Sequence, residues 1–155
     1  MQVQPQQSAF AVAYGRGENQ VVWTELVADM DTAVAMMLKL TGAETYSFML
    51  ESATGGEIRG RYSVSGARPD LIWRCRGEKA EMNRAALHDR RNFSAESASS
   101  LESLRSLIDE CSMDMPAGLP PMAAGLFGYL GYDCIRLVEH LPNVNPDPLG
   151  LPDAV

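Results

Sequence analysis

Short apolar runs separated by turn-forming residues divide the first half of the chain into short elements. Val21–Val27 is rich in β-branched and aromatic residues, which is typical of a strand. Thr32–Leu40 has apolar residues at helical spacing, and we expect Asp31 to cap this helix and Gly42 to end it. Further strands are predicted over Thr45–Leu50, Gly60–Ser65 and Leu71–Arg76. The short turns between these three strands favour antiparallel pairing.

The second half of the chain predicts one well-marked helix and two weaker elements. Asn83–Ala98 is polar and poorly periodic, so we expect a loop with a fraying helix there. Ser99 and Glu102 have the spacing of a capping box at the start of a helix. The apolar residues that then share one helical face are Leu101, Leu104, Leu107, Ile108 and Cys111. Met122–Leu130 is predicted as a strand, and Asp133 as the cap of a last helix.

Length and the distribution of prolines set the expected domain organisation. A chain of 155 residues fits one domain. We expect a flexible or edge segment over residues 1–20, a domain over 21–142 and a proline-rich extended arm over 143–155. Prolines after Leu141 preclude a regular helix in the arm. We expect this arm to lead into a further part of the protein.

Composition and charge exclude several classes of function. The net charge of −7 disfavours binding to a nucleic-acid backbone, which needs clustered Lys and Arg. No stretch approaches the roughly 18 apolar residues of a membrane helix, and the first residues lack the pattern of a signal peptide. Three widely spaced cysteines argue against a disulfide framework and a metal site, and fit a reducing cytoplasm.

The end of the third predicted element carries unexpected polar chemistry. Glu51 and Ser52 follow an apolar run directly, and Arg59 and Arg61 lie across a glycine turn. A carboxylate and a hydroxyl can bind an ammonium group while an arginine binds a carboxylate, so these residues could hold both ends of an amino acid. The alternative is an exposed cross-strand ion pair worth about 0.2–1 kcal/mol. Residue chemistry alone favours the ion pair.

Two other stretches are weaker candidates. Glycines recur every third residue from Gly125 to Gly131, which is not the spacing of a phosphate-binding loop. A strand that another segment approaches closely is the favoured explanation. Cys134 has no well-placed base nearby, since His140 lies across the predicted helix, so a buried structural thiol is favoured over a nucleophile.

Two long motifs resemble one enzyme family. Met49–Ser52 with Gly60–Ser63 resembles the LLES…GRYS motif of the large subunit (component I) of anthranilate synthase. Gly128–Asp133, followed by Arg136 and Glu139–Pro142, is similar to the GYLGYD-x-[IV]-R-x-x-E-x-LP segment of that family. The order and spacing of the motifs also fit. The resemblance covers nearly the whole chain, from about Val21 to Val155.

The resemblance implies a fold and an activity. The implied fold is α+β, with antiparallel β-sheets and helices packed outside, and forms the N-terminal part of the chorismate-utilising enzymes. The family converts chorismate to anthranilate in tryptophan biosynthesis, using Mg²⁺ and ammonia from a glutamine amidotransferase subunit. Its chorismate and Mg²⁺ residues lie in a C-terminal half outside this chain. We therefore expect no catalytic residue, metal or cofactor here, and an inactive chain that exposes apolar surface where that half packs.

The resemblance also assigns the polar strand end to feedback inhibition by L-tryptophan. It implies that Leu50, Glu51 and Ser52 form one wall of the inhibitor site and hold the amino group. Arg61 lies where the family has a basic residue on the next strand. Two alternatives stay open: the large subunit of aminodeoxychorismate synthase in folate synthesis, and a stand-alone amino-acid-binding module.

Overall fold

The computed structural model describes residues 2–42, 44–51, 62–120 and 122–155, which fall into two compact units. Unit 1 comprises residues 1–67 and 111–125, and unit 2 comprises residues 68–110 and 126–155. The α-helices are α1 (Gln7–Gly15), α2 (Ala33–Thr41) and α3 (Ser100–Cys111), and a 3₁₀-helix covers Tyr132–Leu137. The strands are β1 (Phe48–Glu51), β2 (Ser63–Gly66), β3 (Ile72–Arg76), β4 (Lys79–Asn83) and β5 (Ser94–Ala95).

Unit 2 is built on an antiparallel sheet in which β4 lies between β3 and β5. The free edge of β3 is extended by the last residues of the chain. Ala154 forms antiparallel bridges with Cys75 on β3 and with Leu130. The backbone N–H of Cys75 donates to the Ala154 carbonyl at 3.1 Å, and Tyr129 and Val155 exchange two backbone hydrogen bonds at 2.9 and 3.2 Å. Residues 153–155 therefore have a partner on each side.

The core of unit 2 lies between this sheet and α3. Its buried cluster consists of Trp73, Cys75, Ala80, Met82, Leu107 and Ala154. The indole N–H of Trp73 donates to the Ser103 hydroxyl at 3.0 Å, so the one polar atom of this large side chain is satisfied inside the core. Ser100 donates to the carbonyl of Gly77 at 2.6 Å and fixes the start of α3 against the β3–β4 turn.

The helix α3 forms as the capping-box spacing predicts. The Ser99 hydroxyl accepts from the backbone N–H of Glu102 at 3.4 Å, and the Ser99 N–H donates to the Glu102 carboxylate at 3.2 Å. The predicted apolar face is only partly correct. Leu107 is buried, but Ile108 is 52% exposed. The buried face also includes Ser100 and Ser103, because both hydroxyls find hydrogen-bond acceptors inside unit 2.

Unit 1 has a different balance of buried and exposed surface. The buried apolar side chains of the described residues all belong to unit 2. In unit 1, by contrast, Val27 is 89% exposed and Met30 is 97% exposed. The helix α1 buries none of its side chains, and α2 buries only Thr41. The antiparallel pair of β1 and β2 contacts α2 through β2.

Several predicted elements of unit 1 differ from the structure. The strand predicted over Val21–Val27 is wrong, since only Trp23 forms a bridge, to Gln4. The helix α1 lies within residues 1–20, which are predicted to be a flexible or edge segment. The predicted cap of α2, Asp31, is wrong, because the helix begins one residue later than predicted, at Ala33. The cap is Thr32, whose hydroxyl accepts from the Ala35 N–H at 3.1 Å. Gly42 ends α2 as predicted, with a φ of 54°.

The second half of the chain also requires corrections. The loop predicted over Asn83–Ala98 contains the last residue of β4 and the whole of β5. The strand predicted over Met122–Leu130 is reduced to a bridge at Leu130. The last helix is a 3₁₀-helix whose cap is Gly131. Asp133 lies in the first turn of this helix and does not cap it. Its carboxylate forms an ion pair with Arg136 in the last turn.

The fold class is confirmed at its coarser level. Helices are combined with small antiparallel sheets. The finer assignment to the chorismate-utilising fold stays a prediction, as do the segment limits at residues 20 and 142.

Candidate ligand site on the β1–β2 ribbon

The polar strand end identified in the sequence lies on a two-stranded ribbon formed by β1 and β2. The register pairs Phe48 with Gly66, Met49 with Ser65, Leu50 with Val64, and Glu51 with Ser63. Successive side chains of a strand point to opposite faces, and directly opposed residues share a face. One face therefore carries the Phe48 and Leu50 pairs, which are apolar. The other carries the Met49 and Glu51 pairs, so the Ser63 hydroxyl lies beside the Glu51 carboxylate and Ser65 lies opposite Met49.

The last pair of the ribbon joins the two polar side chains directly. The Ser63 hydroxyl donates to Oε1 of Glu51 at 3.4 Å. This distance exceeds the usual O–H···O distance of about 2.5–3.0 Å. Both residues are exposed. The carboxylate therefore keeps lone pairs that are accessible to a ligand.

The predicted site residues are only partly within the described part of the chain. Leu50 and Glu51 lie on β1, with side chains on opposite faces. On the polar face, Glu51 presents its side chain, whereas Leu50 presents only its backbone. Ser52 and Arg61 lie outside the described residues, as does Arg59 of the alternative ion pair. Their roles in the site stay predictions.

The apolar face of the ribbon is held in place by a close approach. A Cβ atom added at Gly66 would lie 2.3 Å from Cε1 of Phe48. The ring thus occupies the space above the glycine, and β2 has room for it only because residue 66 has no side chain. Leu50, on the same face, is 48% exposed.

The second motif, around Gly128 and Gly131, forms a packing contact. A Cβ at Gly128 would lie 1.9 Å from the Val155 carbonyl oxygen, and one at Gly131 would lie 2.8 Å from that of Asp153. These glycines let residues 153–155 approach the chain backbone closely, as the sequence suggested. The tyrosines of the motif do not enclose a pocket together. Tyr129 donates to the Pro152 carbonyl at 2.9 Å, and Tyr132 is 87% exposed.

Charged groups of this motif stabilise its own turn. Arg136 forms an ion pair with Asp133 and donates to the carbonyl of Pro142 at 3.1 Å. These contacts tie the 3₁₀-helix to the segment that follows it. The arrangement therefore stabilises the local structure of the motif.

The thiol of Cys134 has the properties of a structural group. It donates to the carbonyl of Asp153 at 3.1 Å and packs against the core of unit 2. Burial, followed by the negative charge of Asp153, raises the pKa of the Cys134 thiol. Burial likewise raises the pKa of the Cys75 thiol. Because a thiol with a raised pKa is rarely ionised, Cys134 is a poor nucleophile.

The described residues offer no acidic metal site. No three His, Cys, Asp or Glu side chains gather in this part of the chain in a way that could hold a metal ion. The Mg²⁺ implied by the resemblance does not fit the groups that are described here. That the metal binds outside this chain stays a prediction.

Two features of the ribbon were missed in the sequence. Ser63 is adjacent to Glu51 only through the strand register, and Gly66 matters only because of the Phe48 ring. The sequence contains a signal for Ser63, because a hydroxyl residue on the strand next to Glu51 can lie on the same face as that carboxylate. No local pattern indicates the second.

Comparison with known proteins identifies the family. The chain is 61% identical over 147 residues to anthranilate synthase component 1 of Cereibacter sphaeroides, with 95% of the chain covered. It is 39% identical to the protein of that name in Pseudomonas putida over 83% of the chain, and 34% identical to that of Synechocystis over 99%. This chain belongs to the anthranilate synthase component 1 family. The resemblance stated from the sequence is confirmed.

The coverage of these relatives shows how much of the family is present. The chain spans 29% of the length of the Cereibacter sphaeroides protein, 26% of that from Pseudomonas putida and 30% of that from Synechocystis. The match lies in the N-terminal part of the anthranilate synthase component 1 family. No family model and no solved structure matches the chain. Among the described residues, no helix combines the length and apolar character needed to cross a bilayer.

Proposed function

We propose that this chain is the N-terminal, regulatory region of an anthranilate synthase large subunit and contributes to a feedback site for L-tryptophan. The observation that carries the proposal is the 61% identity over 95% of the chain to anthranilate synthase component 1 of Cereibacter sphaeroides. The geometry of the β1–β2 ribbon supports the regulatory part, because Glu51 presents an accessible carboxylate at the end of a strand.

The chemistry of the proposed site suits a free amino acid. The Glu51 carboxylate accepts hydrogen bonds from the ammonium group, and Ser52 adds an acceptor. Arg61 binds the carboxylate of the ligand, where a guanidinium can donate two parallel hydrogen bonds. For inhibition, tryptophan must bind the inactive arrangement of the enzyme more tightly than the active one, since equal affinity shifts nothing.

The remaining components of the reaction belong to other parts of the proposed enzyme. Chorismate and Mg²⁺ bind to the part of the protein that the relatives have and this chain lacks, and ammonia comes from a glutamine amidotransferase subunit. The protein works in the cytoplasm. The 155-residue chain alone does not form anthranilate.

The test uses a full-length protein that contains these residues, assayed with chorismate, an ammonium salt and Mg²⁺. We expect fluorescent anthranilate, with inhibition by L-tryptophan and none by D-tryptophan. Glu51→Gln and Ser52→Ala should each raise the tryptophan concentration for half-inhibition. Formation of aminodeoxychorismate instead would assign the chain to the folate relative. Unchanged tryptophan sensitivity in both variants would reject the feedback site.

A further inference from the structure

The pairing at the end of the ribbon carries an inference about a residue outside the predicted site. Ser63 lies directly opposite Glu51 in the register of β1 and β2, and its hydroxyl donates to Oε1 of Glu51 at 3.4 Å. Both side chains are on the same face of the ribbon. Anything that binds the Glu51 carboxylate from this face therefore meets the Ser63 oxygen as well.

The chemistry of the two groups is complementary to an ammonium ion. An ammonium has three N–H donors, and a carboxylate supplies acceptors only. A serine hydroxyl can accept one hydrogen bond and donate another at the same time. The Ser63 oxygen can thus accept from the ammonium while its proton stays directed at Glu51. Such a chain of hydrogen bonds strengthens both of its links, because each polarises the other.

We propose that Ser63 is a binding residue for the amino group of the inhibitor, acting together with Glu51. This inference rests on the proposed function, since it assumes an amino acid bound at the ribbon. On binding, the ammonium links the two oxygen atoms, and the pair becomes a two-sided cradle for its positive charge.

The ribbon offers a matched control for this proposal. Ser65 lies on the same strand and the same face as Ser63, but opposite Met49 rather than Glu51. Both serines are exposed. Ser63→Ala and Ser65→Ala therefore remove the same atom from equivalent backbone positions, and only the first removes a neighbour of the carboxylate. Ser63→Thr keeps the hydroxyl and suits a strand.

The experiment measures the L-tryptophan concentration for half-inhibition of the full-length enzyme, relative to each variant's own uninhibited rate. We expect an increase of about tenfold in Ser63→Ala, as for the loss of a hydrogen bond to a charged group. Ser63→Thr and Ser65→Ala should remain within about twofold of the wild type. Glu51→Gln serves as the reference for the proposed site. It should raise the tryptophan concentration for half-inhibition at least as much as Ser63→Ala does.

Each other outcome is decisive. If Glu51→Gln loses sensitivity but Ser63→Ala behaves like Ser65→Ala, the role of Ser63 is rejected and the proposed function stands. If both serine variants lose sensitivity equally, or if Ser63→Thr fails to restore it, the hydroxyl acts on the ribbon's structure and the inference is rejected. If Glu51→Gln keeps wild-type sensitivity, the feedback site itself is rejected, and the inference with it.

Discussion

The aromatic ring of Phe48 occupies the space where a side chain at Gly66 would lie, with Cε1 of the ring 2.3 Å from the position of a Cβ atom. Gly66→Ala should therefore displace the ring or part the two strands. We expect a loss of about 1–3 kcal/mol in the free energy of unfolding, as for other overpacked sites. Denaturant unfolding of the variant and the wild type measures this difference.

A double substitution tests whether the ring is the cause. Phe48→Leu removes the ring atoms nearest to residue 66. In this background, Gly66→Ala should cost clearly less, since the two changes act on one contact and are not additive. Equal costs in both backgrounds would show that the ring does not restrict this position.

Gly128 should tolerate a side chain even less than Gly66 does. The obstacle is the carbonyl oxygen of Val155, 1.9 Å from an added Cβ, and backbone cannot rotate aside as a side chain can. The same oxygen accepts the Tyr129 N–H at 2.9 Å, so moving it breaks the pairing of residues 153–155. We expect Gly128→Ala to lower the free energy of unfolding by about 3 kcal/mol, at the upper end for overpacking.

Gly15 provides the control for that substitution. It is the last residue of α1, has no atom within 4 Å of an added Cβ, and its φ is not positive. Gly15→Ala should be neutral or slightly stabilising, because alanine favours a helix more than glycine does. Equal urea midpoints for the two alanine variants would contradict the close approach at Gly128.

The capping box of α3 should make stability depend on pH. Hydrogen bonds from the Ser99 hydroxyl, and then from its backbone N–H, lower the pKa of Glu102. Since the folded pKa is below the unfolded one, this contribution is complete above the unfolded pKa and disappears as the pH falls through the folded pKa. Ser99→Ala should cost about 1 kcal/mol at neutral pH, as for other N-cap substitutions.

The difference between Ser99→Ala and the wild type should shrink as the pH falls below about 4, where glutamates become protonated. Thermal unfolding at a series of pH values measures it. Ser106→Ala, an exposed serine inside α3, is the control and should show no such dependence. A difference between Ser99→Ala and the wild type that is constant with pH would mean that the Glu102 carboxylate does not take part.

The three cysteines should react with a thiol reagent at different rates. Cys111 is exposed, whereas Cys75 is buried and Cys134 is half-buried. Burial raises the pKa of the thiols of Cys75 and Cys134. Only a small fraction of each thiol is therefore ionised at neutral pH. With Ellman's reagent, we expect one fast thiol in the native chain. Cys111→Ser should abolish this fast phase, and Cys134→Ser should leave it intact.

Elements with a local signal could be predicted from the sequence. The helix α3 has a capping box at Ser99 and a buried leucine at Leu107, and β3 has apolar residues bounded by a turn. The strand β4 also has a signal, because Ala80 and Met82 alternate with polar residues, although no element is predicted over residues 79–82. For these elements, the periodicity of a few residues is enough.

Elements that depend on distant partners could not be predicted in this way. Val21–Val27 has the composition of a strand, but a strand needs a neighbour, and only Trp23 finds one, at Gln4. The same limit applies to the site. Glu51 stands out as a charge after an apolar run, whereas Ser63 joins it only through the register of two strands.

The place of residues 153–155 between Cys75 and Tyr129 has a consequence for synthesis on the ribosome. Helix α3 and the strands β3 to β5 can form as soon as they emerge, since their contacts are local. Cys75, however, keeps an unpaired edge until residues 153–155 have also left the exit tunnel. During that interval the nascent chain exposes a strand edge of the kind that chaperones protect from aggregation.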